Sequence, residues 1–326
     1  MEVNNEKAVI ITGGSGFIGS NVAKLFVDSG FNVINIDRKK REIAGVTQYP
    51  FEIDNKQVKG IVELIKPHAV IHIAANNSVP QSVVDPMPTY TDNVLQTISL
   101  LNTCVGAGVP NFIYASSSSV YGTSVHEDGS FKEGDHTSPI NPYGRTKLIC
   151  EDIIKDYADV YGFNYANLRL FNVAGSNLGK FGYQKDPLLH VLPILTQAAL
   201  NDEKFVINGK DYDTPDGTCV RDYTHVNDVA RAFLSTAYWM FDQDDSITLN
   251  IGNNNPVSMK ELVGVVEHAL STHMVVEYTD SRAGDMVRTH ADIEYAKELL
   301  GWEPTNSIQQ IVEDEIKWQK TKIKKR

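Results

Sequence analysis

A tyrosine and a lysine four residues apart are the residues of this chain that most clearly suggest chemistry. Tyr143 and Lys147 lie within Asn-Pro-Tyr-Gly-Arg-Thr-Lys (141–147), and Ser117 belongs to a serine run shortly before that segment. Residues i and i+4 share a helix face, so the lysine ammonium favours the phenolate form of a tyrosine whose pKa is ordinarily about 10. The pattern therefore predicts a tyrosine general base toward a sugar or alcohol hydroxyl, with Ser117 hydrogen-bonded to the same oxygen.

A glycine-rich segment near the N-terminus predicts a dinucleotide site. Thr-Gly-Gly-Ser-Gly-Phe-Ile-Gly (12–19) follows a short apolar run and opens a stretch with helical periodicity. Gly13 permits the tight turn, Gly16 lets the backbone approach a pyrophosphate, and Gly19 lets helix and strand pack closely. A glycine turn without a ligand is the alternative. The order strand, glycines, helix, strand favours the dinucleotide, and it also favours catalysis over an ordinary helix-surface pair for Tyr143.

Asp37 predicts that the dinucleotide is NAD. It ends the second predicted strand (32–36), where a carboxylate hydrogen-bonds the ribose hydroxyls and repels a 2′-phosphate. Arg38, Lys39 and Lys40 follow directly and support the alternative, NADP, because they could hold such a phosphate. The carboxylate at the strand end favours NAD.

The composition is typical of a globular protein that binds small molecules. The 326 residues, 42% hydrophobic and 22% charged, are enough for two packed lobes. A net charge of −11 argues against nucleic-acid and anionic-membrane partners. Three cysteines fit neither a disulfide framework nor a zinc site, so we expect a reducing, cytoplasmic location and no metal. The polar residues 1–7 argue against a signal peptide. The lack of a long apolar stretch argues against a membrane span.

Alternating strand and helix patterns predict the scaffold that positions these residues. Strands are predicted at 8–11, 32–36, 69–73, 111–115 and 165–171, and helices at 17–28, 57–65, 90–105 and 143–161. This alternation predicts an α/β protein with a doubly wound parallel (Rossmann) sheet that is covered on both faces.

The composition changes after residue 172, where glycine, proline and charged residues dominate. This change predicts a second, smaller substrate-binding α/β lobe. A helix at 226–240 and a strand at 247–251 return the chain to the first sheet, and Ser258 with Glu261 predicts a capping box that opens a helix to Leu270. The predicted domains are a dinucleotide-binding domain (1–172 plus 221–256) and a substrate-binding domain (173–220 plus 257–326).

Five motifs resemble those of the extended short-chain dehydrogenases/reductases, and of their UDP-galactose 4-epimerase group in particular. They stand at 12–19, 116–122, 142–147, 168–175 and 212–226, and the resemblance covers nearly the whole chain. It implies an isomerase of nucleotide-sugar metabolism that epimerises a UDP-hexose at C4 through a 4-keto sugar, with NAD as cofactor. It also implies a homodimer that pairs the helices predicted at 90–105 and 143–161.

The resemblance assigns roles to individual residues. Tyr143 is the base, Lys147 binds the nicotinamide ribose and lowers the tyrosine pKa, and Ser117 assists. The cofactor-binding residues that it implies are Gly13, Gly16, Phe17, Ile18, Gly19, Asp37, Asp54, Ala74, Ala75, Asn93, Tyr143 and Lys147. The UDP-sugar-binding residues that it implies are Asn172, His190, Arg221, Arg282, Asp285 and Thr289.

Three of these assignments have alternatives. His190 could be a packed or capping histidine, and Arg221 could belong to a structural ion pair. Thr289 falls where the family places a residue beside the C2 substituent of the hexose, and its small size implies that N-acetylhexosamines are accepted, unless it points elsewhere. Two features depart from the family: Asn77 stands where many epimerases have a lysine, and the connection between residues 37 and 54 is shorter than in many relatives.

Two other functions compete with UDP-hexose epimerisation. UDP-glucuronate 4-epimerases also carry a serine run like 116–119. A non-catalytic NAD-binding sensor or scaffold is the alternative from a different class, and the intact serine, tyrosine and lysine argue against it. Dehydratase and decarboxylase relatives place an acid where Ser118 and Ser119 stand here, which argues against elimination chemistry.

Overall fold

The computed structural model describes residues 7–177, 179–184, 188–281 and 286–323. Its strands are Ala8–Thr12 (β1), Asn32–Ile36 (β2), Val46–Tyr49 (β3), Ala69–His72 (β4), Asn111–Ser117 (β5), Ser130–Phe131 (β6), Asn164–Leu170 (β7), Asn172–Ala174 (β8), Phe205–Asn208 (β9), Val220–His225 (β10), Ile247–Ile251 (β11), Pro256–Ser258 (β12), Val276–Thr279 (β13) and Arg288–Ala291 (β14). Its α-helices are Phe17–Asp28 (α1), Lys56–Ile65 (α2), Val79–Val84 (α3), Met87–Tyr90 (α4), Gln96–Ala107 (α5), Pro142–Tyr161 (α6), Val191–Leu200 (α7), Val226–Gln243 (α8), Met259–Leu270 (α9), Glu294–Leu300 (α10) and Ile308–Ile323 (α11).

A seven-stranded sheet has its strands in the order β11-β7-β5-β4-β1-β2-β3. The strands from β5 to β3 pair in parallel, as their uninterrupted apolar sequences require of strands covered on both faces. The order reverses between β1 and β4, which is the place where doubly wound sheets bind ligands at the carboxyl ends of their strands. The doubly wound parallel sheet predicted from the sequence is confirmed, together with a second, smaller α/β part.

The chain divides into two compact units. Unit 1 comprises the described residues up to Val120, Thr137–Arg169 and Ala230–Leu249; unit 2 comprises Tyr121–His136, Leu170–Val229 and the described residues from Asn250 onward. The domain boundaries given by the sequence stay a prediction.

Each unit has a hydrophobic core of its own. In unit 1 the buried side chains of β1, β2, β4 and β5 pack against helix residues such as Leu100 and Ile154. In unit 2 Leu195 and Leu262 pack with Ile311 and their neighbours. Burial of this kind contributes about 1.5–3 kcal/mol for each large apolar side chain and keeps the strand ends of each unit in fixed positions.

The second unit contains two small sheets. β12, β10, β14 and β6 pair in that order, β8 also pairs with β10, and β13 pairs with β9. The predicted capping box at Ser258 is present, since its hydroxyl accepts from the Glu261 N–H and the Glu261 carboxylate accepts from the Ser258 N–H. The cap explains why α9 begins where it does.

The helix predicted at 90–105 is not a single regular α-helix. The span predicted as a single helix at 90–105 consists of the end of α4, a π-helical segment at Thr91–Leu95, and α5. A π-helical turn inserts an extra residue, so the face that Asn93 occupies differs from the one a regular helix would give it. β3 and the short α3 were not predicted.

Two absences bear on function. Within the described ranges, no helix is both long and apolar enough to cross a membrane. The same ranges contain no group of three or more histidine, cysteine or acidic side chains arranged to hold a metal ion.

Candidate active site

The glycine turn after β1 has the geometry of a phosphate-binding turn. Gly13 has φ +75°, and a Cβ built there would lie 2.6 Å from the Ala74 nitrogen. A Cβ on Gly19 would lie 2.1 Å from the Gly13 carbonyl oxygen, so only glycine allows α1 to approach the turn this closely. Gly16 is exposed and precedes α1 without a side-chain cap, and Phe17 and Ile18 form the first turn of the helix. An uncapped helix start of this kind suits an anion.

Asn35 supports this turn and was not singled out from the sequence. Its amide oxygen accepts from the Gly14 N–H at 2.9 Å, and its amide nitrogen donates to the Ser15 hydroxyl at 3.0 Å. Asn35 is buried in β2. A polar residue within an otherwise apolar strand was the available signal, because a buried amide needs partners.

Asp37 lies beside the glycine turn, at the end of β2. Its carboxylate accepts from the Ser15 N–H at 3.1 Å and from the Lys39 N–H at 2.9 Å. Arg38, a candidate for a 2′-phosphate, instead lies within 3.7 Å of Glu52 and 3.8 Å of Asp92. The carboxylate keeps lone pairs for ribose hydroxyls, since an ionised carboxylate has about four acceptor positions.

Three other predicted cofactor contacts of unit 1 lie on two connections. Ala74 and Ala75 follow β4, where the Ala74 N–H donates to the Thr12 carbonyl at 3.1 Å. Asp54 is exposed in the turn before α2, and its N–H donates to the Gln96 side chain at 3.0 Å. These residues and the glycine turn lie on loops after the parallel strands of one sheet, as a dinucleotide site requires.

Asn93 uses its side chain to join a loop to a helix. Its amide oxygen accepts from the Asn76 N–H at 2.7 Å, and its amide nitrogen donates to the Asn76 carbonyl at 3.1 Å and to the Thr146 hydroxyl at 2.9 Å. Thr146 lies on α6 between Tyr143 and Lys147. The structure therefore gives Asn93 a supporting position between the loop after β4 and helix α6.

Helix α6 begins so that Tyr143 lies in its first turn. Asn141 is the N-cap and accepts from the Gly144 N–H at 2.8 Å, and Pro142 takes the first helical position. A Cβ on Gly144 would lie 2.3 Å from the Ser119 carbonyl oxygen. Glycine at this position lets the helix start approach the end of β5, where Ser117 lies.

Lys147 is buried and points toward β5. Its Nζ donates to the Ala115 carbonyl at 2.8 Å, and lies 4.7 Å from the centre of the Tyr114 ring and 6.0 Å from that of Tyr143. Burial lowers the pKa of Lys147 to about 8, against the opposing effect of Cys150 and Glu151. The ammonium is thus close enough to favour a phenolate on Tyr143.

Tyr143 and Ser117 are in contact. Burial raises the pKa of the Tyr143 phenol, and its hydrogen bond with Ser117 acts in the opposite direction. The Tyr143 backbone N–H donates to the Ser82 hydroxyl at 3.2 Å. The structure therefore brings together the serine, tyrosine and lysine that the sequence predicted.

A buried ion pair on helix α6 was not predicted from the sequence. Glu151, one turn beyond Lys147, accepts from Arg169 Nη2 at 2.7 Å and from the Ser116 hydroxyl. These side chains join α6, β7 and β5. An arginine inside the apolar strand Leu-Arg-Leu-Phe was the available signal, since a buried charge needs a partner.

Arg221 and Thr289 are neighbours in unit 2. They are register partners where β10 pairs with β14, and Thr289 is buried. The Arg221 Nη1 donates to its neighbouring carbonyl at Val220, 2.9 Å away. No carboxylate of the described residues forms an ion pair with Arg221, so the structural ion pair considered above is absent there.

Asn172 and His190 also lie in unit 2. Asn172 begins β8, in register with Tyr223 of β10. His190 occupies the N-cap position of α7 without a side-chain capping bond, and its ring lies edge-on to Tyr183 at 4.5 Å. Arg282 and Asp285, the remaining predicted substrate contacts, lie outside the described residues.

Comparison with protein families identifies the chain. Its residues 9–252 match the model of the NAD dependent epimerase/dehydratase family. This chain belongs to that family. Among curated members, the UDP-glucose 4-epimerase of Rhizobium meliloti (strain 1021) is 35% identical over 327 residues, which cover 98% of this chain and 98% of that protein.

Solved structures of family members superpose on the whole chain. The UDP-glucose-4-epimerase of Stenotrophomonas maltophila, with bound NAD and formylated UDP-arabinopyranose, gives a TM-score of 0.93 at 29% identity and covers 98% of this chain and 100% of its own. The UDP-glucose 4-epimerase of Brucella ovis in complex with NAD gives 0.91 at 34% identity and covers 95% and 97%.

Proposed function

We propose that this chain is an NAD-dependent UDP-hexose 4-epimerase, an isomerase that interconverts UDP-glucose and UDP-galactose and also accepts the N-acetylhexosamine forms. The observation that carries the proposal is the contact of Ser117 with Tyr143, one helical turn from the buried ammonium of Lys147. Near full-length relatives that are UDP-glucose 4-epimerases support it.

Tyr143 performs the proton transfer at the sugar. Its phenolate oxygen accepts the proton of the hexose 4-hydroxyl and later returns it. The Ser117 hydroxyl donates a hydrogen bond to the same hexose oxygen. Lys147 favours the phenolate because it places a positive charge on the same helix face, where burial leaves little water to screen it. General-base assistance of this kind contributes about 100- to 10,000-fold to a rate.

The residues of unit 1 fit NAD. The glycine turn and the uncapped start of α1 would hold its pyrophosphate, Asp37 its adenosine ribose, and Lys147 its nicotinamide ribose. Asp54, Ala74 and Ala75 would line the remainder, and Asn93 would hold the loop that carries the last two. When bound, NAD supplies the two-electron oxidation and reduction at C4 of the hexose.

The UDP moiety is assigned to residues of unit 2. Arg221 would pair with the diphosphate, because its guanidinium has no carboxylate partner among the described residues and an arginine binds phosphate oxygens in pairs. Asn172, His190, Arg282 and Asp285 would complete the set. The relatives described above act on UDP-glucose, which favours a neutral hexose over UDP-glucuronate.

A homodimer in the cytoplasm is the assembly and location that we propose. Apolar side chains are exposed on the helices expected to pair, among them Leu95, Val160 and Tyr161. These side chains would be removed from water if the helices pair in a dimer. Cys104 and Cys150 are buried as free thiols, which suits a reducing compartment.

One experiment tests the function directly. The purified protein is incubated with UDP-galactose, UDP-glucose, UDP-N-acetylglucosamine and UDP-glucuronate, and the products are analysed by NMR. We expect 4-epimers of the first three. Turnover of UDP-glucuronate alone would support the hexuronate alternative, and turnover of none would support a sensor or scaffold.

A further inference from the structure

The aromatic ring beneath the catalytic lysine has no role in the mechanism above. Tyr114, on β5, is buried, and the Lys147 Nζ lies 4.7 Å from the centre of its ring. A cation within about 6 Å of an aromatic centroid is attracted by the negative face of the ring. The same ammonium donates to the carbonyl of Ala115, the next residue on the strand.

A second ring beside Tyr114 is kept uncharged. His72 on β4 lies 5.6 Å from Tyr114, ring centre to ring centre. Burial first, and Lys147 second, lower the pKa of His72 to about 3, and its ring nitrogens hydrogen-bond Thr12 and Thr97. A neutral imidazole does not compete with the ammonium for the electron density of the ring.

The hydroxyl of Tyr114 has a different and weaker partner. It is buried beside the Cys150 thiol, which is a weak hydrogen-bonding group. The ring face, rather than the phenol, is therefore the feature of position 114 that bears on Lys147.

From this geometry we propose that Tyr114 is a positioning residue for the epimerase reaction, whose ring face holds the charged form of Lys147 where it acts on Tyr143. The proposal rests on the function given above. It adds a contribution to keeping a buried lysine charged. Cys150 and Glu151 already oppose the effect of burial on the Lys147 pKa, but the Glu151 carboxylate is shared with Arg169. The ring and the Ala115 carbonyl are then its stabilising neighbours on β5.

The groups that face Lys147 come from several elements. They are His72 of β4, Tyr114 of β5, and Tyr143, Cys150 and Glu151 of α6. A change confined to the electron density of the Tyr114 ring leaves all the others in place. It therefore isolates the contribution of the ring to the charge on Lys147.

The test is a series of rings at position 114 in the full-length, NAD-loaded protein. Tyr114→Phe keeps the ring face, a ring-trifluorinated phenylalanine keeps its shape but removes most of its negative potential, and Tyr114→Leu removes the ring. We expect kcat on UDP-galactose within about threefold of wild type for Tyr114→Phe, and about tenfold or more below it for the other two. We expect KM to change less than kcat.

Two further readouts separate electrostatics from packing. The alkaline limb of the kcat profile should move about one pH unit lower on fluorination, because the ring no longer favours the ammonium. The pKa of Lys147 measured by NMR with isotope-labelled lysine, its signal assigned by loss in Lys147→Met, should fall by the same amount. This measurement does not depend on turnover, so it decides the proposal even if no UDP-hexose is epimerised.

Equal Lys147 pKa values in the phenylalanine and fluorinated proteins would overturn the proposal. If the fluorinated protein does not fold, Tyr114→Phe and Tyr114→Leu decide it by the same two measurements. If kcat and the Lys147 pKa fall equally in both variants, the phenol and not the ring face is the important feature. That result would also count against the proposal.

Discussion

Arg169 donates to both carboxylate oxygens of Glu151, at 2.7 Å from Nη2 to Oε2 and at 3.1 Å from Nε to Oε1. Both side chains are buried. Glu151 lies one turn beyond Lys147 on α6, where an unpaired carboxylate would attract the lysine ammonium. Arg169 pairs with that carboxylate, and the Lys147 ammonium donates instead to the Ala115 carbonyl at 2.8 Å.

Removing Arg169 should destabilise the protein strongly. Arg169→Met leaves the Glu151 carboxylate buried without its partner, which typically lowers the free energy of unfolding by about 3–5 kcal/mol. Urea denaturation at neutral pH measures the loss. The double variant Arg169→Met with Glu151→Leu removes both charges and should recover most of it. A double variant as unstable as the single one would contradict this account.

Replacing Tyr143 should separate chemistry from binding. Tyr143→Phe removes the only atom proposed to accept the 4-hydroxyl proton, so kcat should fall about 100- to 10,000-fold. Binding of NAD and of UDP-sugar, measured by calorimetry, should persist.

A second tyrosine on the same helix gives a matched control for that prediction. Tyr157 donates from its hydroxyl to Asn102 at 3.1 Å near the surface. Tyr157→Phe should leave kcat within about twofold of wild type, because one exposed hydrogen bond contributes little. Near wild-type turnover in Tyr143→Phe would refute the assigned base.

Replacing Asp37 should relax the choice of cofactor. Asp37→Ala removes the carboxylate that would repel a 2′-phosphate and leaves Arg38 and Lys39 in place, so the ratio of NADP to NAD affinity should rise about tenfold. Fluorescence titration with each dinucleotide measures it. Asp28→Ala, which removes an exposed carboxylate of α1, should leave the ratio unchanged. Equal affinities in the wild type would contradict the argument.

A buried carboxylate in unit 2 should make stability depend on pH. Burial raises the pKa of Glu315 from 4.5 to about 7, opposed by its hydrogen bond from Gln319. The folded state then binds a proton that the unfolded state has lost, so the free energy of unfolding falls as pH rises from about 4.5 to 7, by about 3 kcal/mol.

Glu315→Gln cannot ionise and gives the test of that dependence. Urea unfolding at several pH values should show that the free energy of unfolding of the wild type falls as the pH rises. In the variant this free energy should change less with pH. Identical slopes for the two proteins would show that Glu315 does not carry the effect.

Local spacing allowed much of unit 1 to be predicted. The glycines after β1 and the pair Tyr143 and Lys147 each lie within a few residues of one another, so the helix and turn periods alone place them together. Continuous apolar runs also predicted strands of the doubly wound sheet, because parallel strands covered on both faces are apolar throughout.

Contacts between distant segments could not be predicted in the same way. Ser116, Glu151 and Arg169 meet from three elements, and no short motif links them. The π-helical segment that presents Asn93 depends on an extra residue in one turn, which helical periodicity does not reveal. Register across β10 and β14, which makes Arg221 and Thr289 neighbours, is likewise set by packing.

That last pairing bears on the choice of sugar. Thr289 is buried beside Arg221, the residue proposed to hold the diphosphate, and it carries a small side chain. The resemblance of the segment after residue 285 to the epimerases implies, as we propose, that this position lies next to the C2 substituent of the hexose. A small residue there leaves room for an N-acetyl group.

Enlarging Thr289 should therefore reduce activity on N-acetylated sugars selectively. Overfilling a pocket typically costs about 1–3 kcal/mol, so Thr289→Tyr should lower kcat/KM for UDP-N-acetylglucosamine about tenfold to a hundredfold relative to UDP-glucose. Thr289→Val, which has nearly the same volume, should keep the wild-type ratio, and this control separates size from loss of the hydroxyl. Steady-state kinetics with both sugars gives the two ratios. If the tyrosine variant keeps the wild-type ratio, Thr289 does not face the C2 substituent, and the acceptance of N-acetylhexosamines must depend on other residues.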